Sequence, residues 1–441
     1  MNIIIAGAGT VGYSLAQGLS FKHNVIIVDK DIQKLNKIEE NLDILTLLGN
    51  SEDPKTYQHL NLNEIDLFIA VTDSDEANLL STLIVEDAVT VTKKIIRLKN
   101  DYFAQSSVFE KLGIDEHIFP DTLMAEKVRS LFDFPKANNV KNFNQCPQKL
   151  ISVKIHYADE RQYRIDDICD ENVVAVGIER KKEFIIPDTF TILEERDLIY
   201  LFGDANTIRK LSHTLDSKMP SSIKNIVIFG ANPSAQNIAK GLLENQLSIK
   251  MIEKNREYCK EASEILQDNV TIINAPFEEH KLFESEGLKN ADMIIAATEN
   301  DEKNIVKCIE AREFGIEKVV AINNDKEYYS LMHQLGIVVV RGAKVGAHYA
   351  ILEKITSSNI VNVRHFCGGV AVMFVRKIYP GSALIGKEIT PLDKKDTLFY
   401  LIRQNTIYSK AELSPLEEGD VIVLFAKTED EESIQKWIYS L

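Results

Sequence analysis

The chain opens with Ile3-Ile4-Ile5-Ala6-Gly7-Ala8-Gly9-Thr10-Val11-Gly12, in which a short apolar run leads directly into three glycines at GxGxxG spacing. Leu15 and Leu19 then follow at helical intervals, and a second apolar run, residues 25–28, ends in Asp29. This order predicts a buried strand, a tight turn, a helix and a second strand with an acid at its end. A βαβ unit of this kind is typical of nucleotide-binding domains.

Each glycine of this turn has its own physical role. Gly7 permits the tight turn, Gly9 lets backbone amides approach a pyrophosphate, and Gly12 lets the helix pack closely on the strand. The phosphates would rest on the helix N-terminus, and Asp29 is placed to accept hydrogen bonds from ribose hydroxyls. A third predicted strand ends at Gly49-Asn50-Ser51, on the same sheet edge as the turn.

Two more strand ends are predicted to reach this edge. The strand at residues 66–71 is followed by Thr72 and Asp73, which would lie beside the nucleotide, because open α/β sheets bind ligands at the carboxyl ends of their strands. Asp73 is interpreted equally well as the N-cap of the next helix, with Glu76 in a capping-box arrangement. Arg97 either neutralises a phosphate with its fork of donors or is a solvent-exposed edge charge.

The chain divides into two similar halves. Residues 1–135 form one doubly wound unit, and the polar, aperiodic stretch from Ala137 to Cys146 is predicted to be a linker. Residues 146–217 change to short strands and one helix. The opening motif returns at an offset of 223 within residues 222–358, and residues 363–441 repeat the small lobe. The predicted fold class is α/β, a tandem duplication of a Rossmann-like doubly wound parallel sheet plus a small α+β lobe.

The second copy of the glycine turn departs from the first. Asn232 replaces Gly9 and adds a side chain where backbone should meet pyrophosphate, while Pro233 removes an amide donor. Ala235 replaces Gly12, which is a tolerated change. We expect the second site to bind the same ligand more weakly, to bind another ligand or to be structural.

Bulk properties restrict the class of function. A net charge of −15 argues against a general nucleic-acid or anionic-membrane surface, because an acidic field repels both. No stretch approaches the ~18 apolar residues of a membrane span, and Met1-Asn2 leads straight into the first strand, so no signal peptide is expected. Five scattered cysteines without CxxC spacing indicate reduced thiols, and no metal site is predicted.

Together, the glycine turn, Asp29, the segment Val71-Thr72-Asp73-Ser74-Asp75-Glu76-Ala77-Asn78 and Ile96-Arg97 resemble the TrkA family, across the whole chain. These are peripheral cytosolic subunits of Trk potassium uptake systems, built from two RCK units (regulator of potassium conductance). The resemblance implies adenine nucleotides such as NAD, NADH, ATP and ADP as ligands. It also implies a homo-oligomer, a dimer or tetrameric ring, that docks on a TrkH/TrkG-type channel at the inner face of the cell membrane and gates it.

The resemblance also assigns ligand contacts residue by residue. In the first half these are Gly7, Ala8, Gly9, Thr10 and Val11 around the phosphates with Gly12 completing the turn, Asp29 at the ribose, Thr72 and Asp73 beside the nucleotide, and Arg97 at a phosphate. The weaker second-half counterparts are Gly230, Ala231, Asn232, Pro233, Ser234 and Glu253. Arg196 stands where the second small lobe has Gly419, so the first small lobe lacks a turn glycine.

Three classes of function are compatible with this pattern. A regulatory nucleotide sensor needs a binding site and no proton-transfer residues, whereas an NAD-dependent dehydrogenase also needs a substrate domain with an acid or base. The nine histidines are dispersed, and each small lobe has only about 70 residues, short of the usual domain size of ~100. The sequence therefore favours a sensor without enzymatic activity; an assembly scaffold with vestigial sites is the third alternative.

Overall fold

The structure is a computed structural model of the 441-residue chain. It describes residues 1–58, 60, 64–157, 162–243, 247–277, 281–356, 361–390, 392, 394, 396–409 and 414–441. Two parallel and two antiparallel sheets alternate along this part of the chain. The predicted fold class, a duplicated Rossmann-like unit with small lobes, is confirmed.

The first Rossmann lobe, residues 2–133, alternates strands and helices. Its elements are β1 (Asn2–Ala6), α1 (Thr10–Leu19), β2 (Asn24–Asp29), α2 (Ile32–Glu39), β3 (Leu45–Leu48), α3 (Pro54–Tyr57), β4 (Glu64–Ala70), α4 (Asp75–Ala88), β5 (Thr90–Arg97), α5 (Val108–Lys111), β6 (Glu116–Ile118) and α6 (Pro120–Asp133). The strands are parallel in the order β3-β2-β1-β4-β5-β6. Because the strand order reverses between β1 and β4, a crevice opens at their carboxyl ends.

The first small lobe is an antiparallel sheet with one helix. It contains β7 (Ala137–Lys141), β8 (Lys149–Lys154), β9 (Val173–Arg180), β10 (Glu183–Ile185), β11 (Leu198–Gly203) and α7 (Ala205–Leu215), with strand order β10-β9-β11-β8-β7. The predicted linker is wrong in its first part, because residues 137–141 form β7, the edge strand paired with β8. The polar sequence reflects an edge strand with one solvated face, which lacks an apolar pattern.

The second Rossmann lobe, residues 225–356, repeats the first. Its elements are β12 (Asn225–Phe229), α8 (Pro233–Leu242), β13 (Ser248–Glu253), α9 (Arg256–Leu266), β14 (Thr271–Asn274), α10 (Leu282–Ser285), β15 (Met293–Ala296), α11 (Asp301–Glu313), β16 (Lys318–Asn323), α12 (Tyr329–Gln334), β17 (Val338–Arg341) and α13 (Ala343–Thr356). The sheet order, β14-β13-β12-β15-β16-β17, matches that of the first lobe.

The second small lobe repeats the antiparallel sheet. It contains β18 (Val361–Phe366), β19 (Ala371–Lys377), β20 (Thr397–Arg403), β21 (Thr406–Ser409), β22 (Val421–Lys427) and α14 (Glu431–Ser440), in the order β18-β19-β22-β20-β21. The two small sheets share one apolar core, in which Phe202 of the first packs edge-on against Phe425 of the second, with ring centroids 5.3 Å apart. Between the predicted units 222–358 and 363–441, residues 359 and 360 lie outside the described residues, and residues 361 and 362 begin β18.

The last helix of each Rossmann lobe packs on the other Rossmann lobe. Met124, Val128 and Leu131 of α6 are buried in the core that contains α8. Ala347 and Ile351 of α13 are fully buried in the core that contains α1. The two lobes therefore exchange their terminal helices, and each contributes apolar surface that the other needs to complete its core.

One buried lysine joins the second Rossmann lobe to the first small lobe. Lys318, at the start of β16, is fully buried, and its Nζ donates to the carbonyl oxygen of Ala137 at 2.5 Å. Burial lowers the pKa of Lys318 to about 7, while Asp216 raises it and Lys136 lowers it to a smaller extent. Burying the Lys318 ammonium group therefore costs folding free energy, and in return Lys318 makes a polar contact between the two lobes.

The turn before β11 has the same backbone conformation as the turn before β22, although it lacks a glycine. Arg196 has a φ of 72°, in the same left-handed region as Gly419, with a φ of 87°, before β22. The turns hold equivalent carboxylates, because Asp197 pairs with Arg180 and Asp420 with Arg403, each at 2.7 Å. The first small lobe thus forms the same turn as the second, but a non-glycine residue adopts the left-handed conformation there, which costs backbone strain.

Candidate nucleotide-binding cleft

The glycine turn follows β1 at the carboxyl edge of the first parallel sheet. Gly7 has a φ of 108°, and a Cβ there would lie 2.9 Å from the amide nitrogen of Thr72. A Cβ on Gly12 would lie 1.8 Å from the carbonyl oxygen of Gly7. Around Gly9 there is open space, and this residue is the N-cap of α1. Because glycine supplies no capping side chain, the first amides of α1 stay available to a ligand.

Asp29 has a structural role that the sequence analysis missed. Its Oδ2 accepts a hydrogen bond from the amide of Ala8 at 2.6 Å, and its Oδ1 accepts one from Asp31 at 2.9 Å. Asp31 in turn caps α2 by accepting from the amide of Gln33 at 2.9 Å. Asp29 therefore ties the glycine turn to the start of α2, and a carboxylate with about four acceptor positions keeps capacity for ribose hydroxyls.

The loop after β4 is organised by Asn78. The Oδ1 of this buried side chain accepts from both the amide and the hydroxyl of Thr72, at 2.8 and 2.7 Å, and its Nδ2 donates to the carbonyl of Arg97 at 2.8 Å. The interpretation of Asp73 as the N-cap is wrong. Ser74 caps α4, accepting from the amide of Ala77 at 3.1 Å, so the exposed Asp73 carboxylate stays in the loop.

Arg97, at the end of β5, is buried and lies in the cleft. Its Nη2 is 3.7 Å from Oδ1 of Asp73, and Lys99 approaches the same oxygen at 3.9 Å. The alternative of a solvent-exposed edge charge is wrong, because the Arg97 side chain is only 9% exposed. A guanidinium held at this depth offers a fixed fork of donors to an anion.

These elements enclose a cleft of about 740 Å³. The size is in the range of sites that hold a cofactor or drug-sized ligand. Every predicted first-half site residue lines it except Gly12, which lies behind the turn and serves packing; Gly49-Asn50-Ser51 also lines it, as predicted. The lining residues that were predicted as ligand contacts are Gly7, Ala8, Gly9, Thr10, Val11, Asp29, Thr72, Asp73 and Arg97.

Four lysines of the cleft were missed. Lys30, Lys34 and Lys37 come from the end of β2 and from α2, and Lys344 comes from α13 of the other half. With Arg97, the lining has five cationic side chains against three acidic ones, Asp29, Glu52 and Asp73. In a chain of net charge −15, this cleft is a local concentration of positive charge. The spacing of Lys34 and Lys37 places them on one face of α2, and this could have been recognised in the sequence. No feature of the sequence around Lys344 indicated that it lines the cleft.

The exchanged helices give the two glycine turns opposite charges. Lys344 is the second residue of α13 and lines the first cleft. Asp121, the second residue of α6, lies at the second turn, where its Oδ1 accepts from the Ser234 hydroxyl at 2.5 Å. A carboxylate at this position opposes the binding of phosphates, whereas an ammonium group favours it.

The second turn keeps its backbone but uses its polar groups internally. Gly230 has a φ of 115°, and Glu253 accepts from the amides of Ala231 and Asn255 at 2.9 and 2.8 Å, as Asp29 does in the first half. The buried Asn232 side chain accepts from Ala235 and donates to Ala297, at 3.0 and 2.8 Å. Pro233 begins α8, so the space open to a ligand beside Gly9 is occupied here by an N-capping side chain.

The position of Arg97 also changes in the second half. Asn323 ends β16 as Arg97 ends β5, and its Nδ2 donates to the carbonyl of Asp325 at 2.5 Å. The second site thus lacks both cations that α13 and β5 bring to the first. These contacts favour the alternatives in which the second site binds the same ligand more weakly or is structural.

The described ranges hold no group of three or more His, Cys, Asp or Glu side chains arranged to bind a metal ion. None of the helices in the same ranges combines the length and apolar character that crossing a bilayer requires.

The fold places the protein in the class of tandem RCK-type architectures, in which a Rossmann-like lobe and a small lobe occur twice. The GsuK RCK domain has the same fold, with a TM-score of 0.64 and 19% identity, over 100% of this chain and 95% of that chain. The GsuK channel bound to NAD is similar to the same degree, with a TM-score of 0.64 and 18% identity over 100% and 79% of the two chains.

The family model of the TrkA-N domain matches residues 3–120 and 226–341, more than half of the chain, and the chain belongs to this family. The Trk system potassium uptake protein TrkA homolog of Archaeoglobus fulgidus is 27% identical over 99% of both chains. The Trk system potassium uptake protein TrkA of Halomonas elongata is 26% identical over 96% of this chain and 95% of its own. The resemblance that the sequence motifs indicated is confirmed.

Proposed function

We propose that this protein is a regulatory subunit of a potassium uptake system that binds an adenine nucleotide, NAD(H) or ATP/ADP, in the first cleft and thereby gates a membrane channel. The observation that carries the proposal is the cationic cleft at an uncapped helix start, in a chain whose full-length relatives are named Trk potassium uptake proteins. The similar GsuK channel has been solved with NAD, and a further GsuK structure with ADP.

Each group of the cleft has a role in this proposal. The amides that follow Gly9 hold the phosphates, and Ala8, Thr10 and Val11 line the same wall. Asp29 accepts from a ribose hydroxyl with the capacity that its two backbone bonds leave, and Thr72 and Asp73 lie beside the nucleotide. Arg97 distinguishes ligands by the number and position of their phosphates. The second set, Gly230, Ala231, Asn232, Pro233, Ser234 and Glu253, binds the same ligand weakly at most.

Lys344 gives nucleotide binding a route to the rest of the molecule. It reaches the first cleft from α13, which continues towards the second small lobe, so a bound phosphate contacts both halves of the chain. A ligand shifts a conformational equilibrium only by its differential affinity for the two states. Nucleotides that differ in charge at Lys344 and Arg97 would therefore stabilise different lobe arrangements.

The proposed partner is an integral membrane channel of the TrkH/TrkG type, contacted by a dimer or tetrameric ring of this chain on the inner face of the cell membrane. The net charge of −15 favours docking on channel protein rather than on anionic lipid. A dehydrogenase is the second candidate for the cleft, because the TrkA-N fold is shared with such enzymes. The cleft lining, backbone amides with hydroxyl, lysine and arginine groups, is suited to holding a ligand.

The test is thermal unfolding of the full chain with NAD, NADH, ATP or ADP, each at about 100 times its dissociation constant. A bound ligand then stabilises the protein by about 2.7 kcal/mol. Gly9→Asp should abolish the shift, because the new carboxylate would point into the open space where the phosphates lie. Gly18→Asp is the matched control, since Gly18 lies on the same helix with no atom within 4 Å.

Several outcomes are informative. Stabilisation by adenine nucleotides without dinucleotide turnover, lost in Gly9→Asp and kept in Gly18→Asp, supports the proposed sensor. Turnover of one nicotinamide cofactor would support the dehydrogenase instead. If no nucleotide shifts the unfolding temperature of the wild type, the site is vestigial and the scaffold alternative holds.

A further inference from the structure

A second, smaller cavity lies where the second Rossmann lobe and both small lobes meet. Its volume is about 80 Å³, a ninth of that of the nucleotide cleft. Its walls come from α6, β7, β8, β11, α12, β17, β18 and residues 367–368, and none of these lines the nucleotide cleft. A space of this size holds a few waters or one small ion, and it is too small for a nucleotide.

Three cations converge on this cavity. Lys127 comes from α6, Lys141 from β7 and Arg341 from β17. Across the residues that the structure describes, neither lysine Nζ has a hydrogen bond or ion pair; the Arg341 guanidinium stacks on the Tyr349 ring at 3.5 Å from its centroid. Lys127 is exposed to solvent and Lys141 is half-buried, so the cavity opens to the surface on the side of Lys127.

A buried hydroxyl adds a neutral donor to the same wall. Ser152 of β8 is 2% exposed, lines the cavity, and its Oγ has no hydrogen-bond partner. Buried hydroxyls are nearly always paired, by protein or by an ordered ligand. Ser152 alternates along β8 with Ile151 and Val153, which face the apolar core of the small lobe, so its direction follows from the strand register.

The acidic groups around the cavity are already engaged. Glu353 pairs with Arg364. Glu179 lies 3.5 Å from His333, and Glu431 lies 2.9 Å from His365. Glu353 is also close enough to raise the pKa of Lys127 and of Lys141, so its charge is shared with Arg364 and offsets the lysine charges only in part. Burial, together with repulsion from Lys127, lowers the pKa of Lys141 to about 7, and attraction by Glu353 opposes this shift.

We propose that this cavity is a binding site for a small tetrahedral oxyanion of the size of inorganic phosphate. Such an anion accepts charge-assisted hydrogen bonds from Lys127, Lys141 and Arg341 and a further bond from Ser152. Because these groups come from α6, the first small lobe and β17, one bound anion contacts the first small lobe and the core that α6 shares with β17. Anion binding at this site therefore affects the arrangement of the lobes separately from nucleotide binding.

The test is calorimetric titration of inorganic phosphate into the full chain at pH 6.5, at constant ionic strength set with sodium chloride. All variants also contain Gly9→Asp, so that phosphate at the glycine turn does not contribute. Lys141→Met should weaken binding about ten- to a hundredfold, the equivalent of one lost charge-assisted hydrogen bond. Lys210→Met, at an exposed position of α7, should leave the affinity unchanged.

Folding of the variants is checked by their unfolding temperature without phosphate. Lys141→Met should unfold at or above the temperature of its parent, because it removes an unpaired cation from an enclosed site. Arg341→Gln tests the opposite wall and should weaken phosphate binding in the same way. The proposal is overturned if the Gly9→Asp parent binds no phosphate, or if Lys141→Met and Arg341→Gln bind it as tightly as the parent and Lys210→Met do.

Discussion

Replacing Gly12 by alanine should destabilise the first Rossmann lobe, although alanine favours a helix. The new Cβ would lie 1.8 Å from the carbonyl oxygen of Gly7, so that oxygen must retreat by about 1.2 Å to reach a 3.0 Å contact. The obstacle is backbone, so the cost lies near the upper end of the ~1–3 kcal/mol for overpacking, offset by ~1 kcal/mol of helix propensity. The net loss is about 2 kcal/mol, or roughly 8 °C in the unfolding temperature of a lobe of about 130 residues.

The assay is thermal unfolding followed by circular dichroism, with nucleotide titration on the same samples. Gly18→Ala is the control, because it lies in α1 with no atom within 4 Å of its Cβ and should raise the unfolding temperature slightly. Gly12→Ala should also bind nucleotide more weakly, since the displaced Gly7 carbonyl belongs to the turn that is proposed to hold the phosphates. A Gly12→Ala chain that unfolds no earlier than wild type and binds nucleotide normally would refute this reasoning.

Three further predictions concern Asp29, Lys344 and Lys318. Asp29→Asn and Glu253→Gln should each lower the unfolding temperature, because each removes a charged acceptor from two backbone amides. The expected loss of stability is about 1.5–3 kcal/mol. Only Asp29→Asn should weaken nucleotide binding, and equal binding by both variants would contradict a ligand role for Asp29. Lys344→Ala should reduce nucleotide affinity about three- to tenfold at unchanged stability, because one exposed charge contact worth roughly 1 kcal/mol is lost. Asp121→Ala is the control and should leave nucleotide affinity unchanged. Titration at two salt concentrations checks this, since the difference in affinity between Lys344→Ala and wild type should shrink as salt rises. Lys318→Met should stabilise the protein below about pH 7, because the pKa of Lys318 lies near 7 when folded and near 10.5 when unfolded, so the unfolded chain binds more protons and wild-type stability rises between those values. The gain, up to roughly 5 kcal/mol before the lost bond to Ala137 is counted, should therefore shrink between pH 7 and pH 10. A pH-independent difference in unfolding temperature would show that Lys318 stays charged.

The first glycine turn was predictable because its signals are local. The buried run before Gly7 fixes the strand, and the spacing to Gly12 fixes how closely α1 approaches it, so both follow from a dozen consecutive residues. The repeat of the pattern at Gly230 then predicted the second lobe. The capping of α4 was misjudged by one residue, because Asp73 and Ser74 are both good N-caps and only the backbone distinguishes them.

Other features depended on contacts between distant parts of the chain. Lys344 reaches the first cleft only because the terminal helices are exchanged, and nothing near residue 344 indicates a nucleotide. The strand at residues 137–141 has no apolar pattern of its own and is defined by its pairing with β8. The cavity of Lys127 and Lys141 requires both small lobes in place, so no single segment of sequence could reveal it.

The exchange of terminal helices also bears on how the duplication arose and why it persists. A half-length chain that contained only the first copy would expose the apolar face of α1 that α13 covers, and α6 would lack the core that contains α8. Such a chain would have to dimerise to bury these surfaces. Two identical copies would place the same residue at both turns. A single chain that carries both copies has no such constraint, so Lys344 can lie at one turn and Asp121 at the other. Covalent linkage thus fixes a one-to-one ratio of a turn with a lysine and a turn with an aspartate in every molecule.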